Sequence, residues 1–173
     1  MPNLQNQEID YRVEDTDFWY RRSYVYESGA SFRESRSKIN FLGIPFIHIT
    51  YGKCPETGRR IAAKGFIAIG RISIGVISIG HLALGVFAIG QAAFGLFFLG
   101  QLGIGLAGIG QAACALLFGA GQFATGYVAI GQFAYGHYAL GAAAWGDHVW
   151  SVKVKDPEAV EFFTNLWHWF SGR

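Results

Sequence analysis

From Ile72 to Gly146 the chain runs for 75 consecutive residues without a Lys, Arg, Asp or Glu. A tract of that kind has no basic stripe for nucleic acid and no acidic wall to imitate one. The charges that exist are crowded elsewhere: ten of the fourteen basic and eight of the twelve acidic residues precede Gly65. The small basic cluster at Lys53, Arg59, Arg60 and Lys64 reads as a solvated turn, and a net charge of +2 adds no case for a polyanionic partner. Cysteine is scarce as well. Cys54 and Cys114 make no disulfide framework, and Cys114 reads as a small core hydrophobe. Threonine is missing from the uncharged tract except at Thr125, which excludes the threonine ranks of an ice-binding surface. The N-terminus is polar and acidic and does not read as a secretory signal. The expected location is the cytoplasm or the cytoplasmic face of a membrane.

From Gly65 to Trp150 a five-residue phrase repeats about 17 times: GFIAI, GRISI, GVISI, GHLAL, and so on to GDHVW. With glycine as position one, the third residue is mostly Ile, Leu, Phe or Ala. The fourth is Ala, Ser or Gly, and the fifth is Ile, Leu or Phe. In an α-helix a period of five advances about 140° beyond a full turn, so the glycines would scatter over every face. Nineteen glycines would also cost roughly 1 kcal/mol each relative to alanine. A short fixed period instead predicts an all-β solenoid, stacked coil on coil. Glycine is then expected at tight corners. The third and fifth positions, Ile74 and Ile89 among them, are expected inside.

A second period lies inside the first. Second positions alternate between a polar set (Arg71, His81, Gln91, Gln101, Gln111, Gln122, Gln132) and an apolar set (Phe66, Val76, Val86, Leu96, Leu106, Leu116, Tyr127). Two arrangements satisfy this. A square coil of four pentads would set polar and apolar walls opposite each other, and a flat coil of two would have one glutamine face and one aliphatic face. The square β-helix is favoured because it leaves more room for bulky interior residues. In either case Gln91, Gln101, Gln111, Gln122 and Gln132 form a ladder whose amides stack about 4.8 Å apart. Val76, Val86, Leu96, Leu106 and Leu116 form an apolar wall. The extra residue in ALLFGA reads as a bulge.

Three regions follow: a charged, β-rich leading region or cap at 1–64, the pentads at 65–150, and a short strand with an amphipathic helix at 151–173. The leading region contains a hairpin around Ser28-Gly29, a β-rich run from Phe41 to Gly52, and a strong turn at Pro55-Glu56-Thr57-Gly58. Asp156-Pro157-Glu158 reads as N-cap, first helical residue and first-turn acid. A solenoid's open end invites edge-to-edge growth. The helix is therefore expected to cap the last coil with Phe163, Leu166, Trp167 and Phe170. A membrane-lying helix is the rival, disfavoured by Glu158 and Glu161 and by the absence of Lys or Arg before Arg173.

In its period the array resembles the pentapeptide-repeat proteins, which build square β-helices with five residues per face. Their polar Asp/Asn beside a central Leu has no counterpart here. The segment LGIPFIHITYGKCPETGRRIAAKGFIAIG is similar to uncharacterised bacterial proteins in which such a turn leads into glycine pentads. Neither resemblance implies an activity.

No residue pattern supports catalysis, a cofactor, a metal or a small-molecule substrate. His81 and His137 stand 56 residues apart with no Cys, Asp or Glu in their pentads. Asp147 and His148 adjoin, but strand neighbours point to opposite faces. Gly103-Ile104-Gly105-Leu106-Ala107-Gly108 matches GxGxxG without the strand–helix unit that a nucleotide site needs. An apolar wall on a soluble chain needs a cover. The expected function is a non-enzymatic structural scaffold, forming a homo-oligomer or filament or docking on a membrane surface through that wall. The alternative is an integral membrane protein with 72–146 embedded in the bilayer, since 75 uncharged residues could hold three spans of about 20 residues.

Overall fold

The computed structural model describes residues 10–172; the reading of the first nine residues, signal peptide included, and of Arg173 falls outside them. Among the described residues the fold is all-β apart from one C-terminal helix, with 69% strand and a solenoid of about nine turns. It forms two compact units, Met1–Gly90 and Gln91–Arg173, so the division falls inside the pentad array.

The first unit begins as an antiparallel meander. Strands β1 (Arg12–Asp15), β2 (Trp19–Val25) and β3 (Ser31–Ser37) pair in order. β3 pairs next with β6 (Ile47–Tyr51). The expected hairpin is present: Gly29 sits at φ 78°, and the Tyr26 N–H donates to the Ala30 carbonyl at 2.8 Å. Between β3 and β6, β4 (Asn40–Phe41) and β5 (Ile44–Pro45) make a small hairpin around Leu42 and Gly43. The Pro55–Gly58 turn is closed by the Gly58 N–H donating to Cys54 O at 2.8 Å.

At β6 the sheet changes sense. β6 pairs in parallel with β7 (Ala63–Ile69), and β7 pairs in parallel with β8 (Ile72–Trp145), a 74-residue strand. The register sets Ala63 beside Ser73 and Gly65 beside Gly75. β9 (His148–Ser151) keeps the same step, Tyr138 beside His148. Each coil is therefore ten residues, two pentads, and the expected square coil of four is replaced by the flat form.

The interior shows why. The buried column is the fourth position: Ala63, Ala68, Ser73, Ser78, Ala83 and Ala88 in the first unit. In the second it is Ala93, Phe98, Ala113, Ala124, Ala129, Ala134 and Ala139. Ser73 Oγ and Ser78 Oγ, from successive pentads, are 2.6 Å apart, so the two walls touch through their smallest side chains. Third and fifth residues are half-buried or exposed, which reverses the expected inside and outside. Ile74 and Ile89 lie on the outside, and Cys114 is exposed rather than a core residue.

Glycine is required by closeness rather than by a positive φ. A Cβ on Gly75, Gly85, Gly105 or Gly141 would overlap the carbonyl oxygen of the glycine ten residues earlier. One coil is longer: a Cβ on Gly121 would meet the Gly110 carbonyl, an offset of eleven. The extra residue of ALLFGA is taken up in this coil, where Leu116 and Leu117 are exposed.

The interior has one exception to its small residues. Phe98 is buried, and a Cβ on Gly103 or Gly108 would collide with its ring. Two consecutive fourth positions have lost their side chains to house one aromatic ring. The GxGxxG look-alike is thus a packing device.

Candidate association surface

In strands of alternating orientation, burying the fourth residue turns the third and fifth outward. In the second unit this exposes Leu99, Leu102, Ile104 and Ile109, with Leu99 at 50% and Ile109 at 53%. Phe123 and Phe133 stack one coil apart, with ring centroids at 5.0 Å, and both are exposed. In the first unit Ile74, Ile79, Leu84 and Ile89 repeat the pattern. No charged side chain interrupts these ranks.

Among the second positions, Gln91, Gln101, Gln111, Gln122 and Gln132 are all exposed and all lie in the second unit. The proposed wall is uneven. Val76, Val86 and Leu106 are half-buried, whereas Leu96 and Leu116 are exposed. More apolar surface therefore lies in the third and fifth ranks than in the wall named from sequence. The hidden signal was the size of the fourth residue, almost always Ala, Ser or Gly.

The ends of the ladder are closed differently. At the start, β1 is a short edge strand of sequence RVED, all of it exposed, and edge charges discourage strand addition. Behind it lies an ion network centred on a buried carboxylate. Glu34, 1% exposed, meets Arg22 Nε at 2.6 Å and Arg36 Nε at 2.6 Å. His48 Nε2 approaches Glu34 Oε1 at 3.0 Å. The Lys64 backbone N–H donates to His48 Nδ1 at 2.8 Å. Nδ1 is thereby the acceptor, and Nε2–H donates to the carboxylate. Burial alone would raise the Glu34 carboxyl, but hydrogen bonds from His48, Arg22 and Arg36 outweigh it and hold the group at about 2. The network ties β2, β3 and β6 to the start of β7.

At the far end, helix α1 (Pro157–Ser171) starts as expected. The Asp156 carboxylate accepts from the Glu158 N–H at 3.0 Å, with Pro157 next to the cap. The return of the chain takes up the outer edge of β9: Ser151 N–H donates to Val154 O, and Asp156 N–H donates to Val149 O. Ala159 and Phe163 are buried, Phe162 stacks on Tyr138 at 4.1 Å, and Phe163 lies near Trp150. Of the expected cap residues, Phe163 is buried and Leu166 half-buried. Trp167 and Phe170 are exposed and do not cap.

The histidines are organised by the ten-residue step. His137 Nδ1 lies 2.7 Å from Asp147 Oδ2, one coil later, and its ring stacks on Tyr127 one coil earlier. His148 Nδ1 lies 3.2 Å from both Asp156 Oδ2 and Glu158 Oε2, linking β9 to the start of α1. Asp147 and His148 serve different partners and are not a dyad. Among the described residues, no three His, Cys, Asp or Glu side chains stand together as a metal cage, and no helix is long and apolar enough to cross a membrane. Ile72–Trp145 is strand, so helical spans through the uncharged tract are ruled out by the fold.

No protein-family model, curated protein or solved structure matches this chain.

Proposed function

We propose that the protein is a non-enzymatic scaffold whose solenoid associates side by side with further copies through its outward apolar ranks. One observation carries this reading: an uncharged β-ladder whose third and fifth residues, aliphatic or aromatic in nearly every pentad, face out. Contiguous apolar surface beyond a few hundred Å² marks an interaction site on a soluble chain. A second copy is the best-matched cover, because its ranks repeat at the same coil spacing of about 4.8 Å and can seat ridge into groove. The closed ends favour lateral association over end-on filament growth.

Sedimentation velocity on the full chain and on Ile104→Lys/Ile109→Lys tests this. The wild type is expected to sediment as an assembly, and the double variant as a monomer with the same β spectrum. A wild type that stays monomeric at all concentrations, or a double variant that remains assembled, contradicts the proposal.

A further inference from the structure

Helix α1 is longer than the surface that holds it. Its buried contacts end with Phe163 and half-buried Leu166, yet the helix continues to Ser171. Trp167 is 71% exposed, Trp169 76% and Phe170 73%. Trp169 and Phe170 touch edge to face, with centroids 4.8 Å apart. The end is closed by its own chain: Gly172, at φ 67°, donates its N–H to the His168 carbonyl, and Ser171 Oγ donates to the same oxygen. These three aromatics therefore form an ordered tip on a terminated helix.

Charge and area identify the occupant. The acids of α1 are Glu158 and Glu161, both before the tip, and from Phe162 to Gly172 the only titratable side chain is His168. Arg173 follows as a single cation, too little charge to select an anionic surface, and no acid stands there for a cationic partner. Three aromatic side chains bury at most roughly 450–750 Å², which falls short of the ~800 Å² per partner of a stable protein interface. Indole rings, apolar with one N–H donor, settle at the headgroup level of bilayers. Trp167 and Phe170, three residues apart, share one face of the helix and Trp169 lies on another, so it is the end of the helix rather than one face that enters this layer.

We propose that Trp167, Trp169 and Phe170 insert into the interface of an electrically neutral bilayer and hold the protein reversibly on it. The contact does not depend on the side-by-side association proposed above. Assembly would multiply such tips and strengthen attachment by avidity.

Co-sedimentation of the full chain with phosphatidylcholine vesicles tests the proposal. Binding is expected, insensitive to 0.5 M salt (on the order of the strength that screens exposed charges) and to added phosphatidylserine. Trp167→Ser/Trp169→Ser/Phe170→Ser should bind at least about tenfold more weakly, a loss in keeping with three aromatics withdrawn from lipid. Its sedimentation velocity without lipid should be unchanged. A second measurement holds even if that variant misfolds: acyl-brominated lipid should quench wild-type tryptophan fluorescence, and Trp167→Phe/Trp169→Phe should bind but lose that quenching. The proposal is overturned if the wild type ignores neutral vesicles, if binding requires anionic lipid, or if the double Phe variant is quenched as strongly as the wild type. It is also overturned if Ile104→Lys/Ile109→Lys abolishes vesicle binding while the serine variant retains it, because the contact would then belong to the solenoid ranks.

Discussion

The meander of the first unit and the coils of the second close a β-sheet by opposite means. In the meander, buried Glu34 is ion-paired with Arg22 and Arg36 and accepts a hydrogen bond from His48, and large side chains such as Phe32 fill the interior. In the coils, charge is absent and the interior is a file of alanines with one Phe98. A buried ion cluster needs every partner in place. An alanine file needs only that nothing larger intrudes. The meander thus specifies its fold by polar pairing and the coils by the exclusion of volume, which leaves the coils' large apolar residues no place but the outside.

The largest effect should come from violating that exclusion. Gly105→Val puts a side chain into the Gly95 carbonyl. No rotamer change can relieve a backbone clash, so a loss of more than about 4 kcal/mol is expected, seen as a protein without a cooperative melt. A mild loss from this variant would show that coils can spread apart, and the contrast with the meander would fail.

Next comes the exception. Phe98→Ala should cost about 3–5 kcal/mol by chemical denaturation. Adding Gly103→Ala and Gly108→Ala should recover part of it, because the cavity is then refilled as in the regular coils. Gly103→Ala alone should destabilise by overpacking against the ring.

The meander should respond to acid where the coils do not. Glu34 has a folded-state value of about 2 against an ordinary 4.5. A depressed carboxyl stabilises fully above its unfolded value and loses that contribution as pH falls through the folded value. Stability of the first unit should therefore drop between about pH 4.5 and pH 2, by on the order of 3 kcal/mol. Hydrogen exchange resolved along the chain should place this loss in β2, β3 and β6. Glu34→Gln should flatten the profile.

The smallest effects belong at the surface. Asp156→Ala removes the N-cap of α1 and should cost about 1 kcal/mol. His137→Gln loses the hydrogen bond to exposed Asp147 and should shift stability by less than about 1 kcal/mol.

Much of this was legible in the residues. The glycine period predicted a β-solenoid, Ser28-Gly29 the hairpin, and Asp156-Pro157-Glu158 the helix start. The inside–outside assignment was not, for a physical reason. A period shows which residues share a side, but the choice of side was made by hydrophobicity. That choice fails where the outer faces are more apolar than the interior. The polar–apolar alternation of second positions repeats every ten residues and is satisfied by coils of two or of four pentads. The argument from room for bulky side chains chose four, although the fourth residues show that no such room is needed. The same step would have joined His137 to Asp147. Phe98 followed by Gly103 and Gly108 at the same repeat position was a readable sign of its housing. Exposure of Trp167 and Phe170 was not readable, because a helix's apolar stripe does not tell how far its support extends.

The central claim is that the fourth residue faces in and the fifth faces out, and two adjacent positions test it most directly. Ala88 is 1% exposed and Ile89 is 41% exposed. Thermal melts followed by circular dichroism should show that Ala88→Lys abolishes the cooperative β transition, since an unpaired charge is costly to bury. Ile89→Lys should melt within a few degrees of wild type, on the order of 1 kcal/mol. A folded Ala88→Lys beside an unfolded Ile89→Lys would contradict the account and restore an interior built from third and fifth residues.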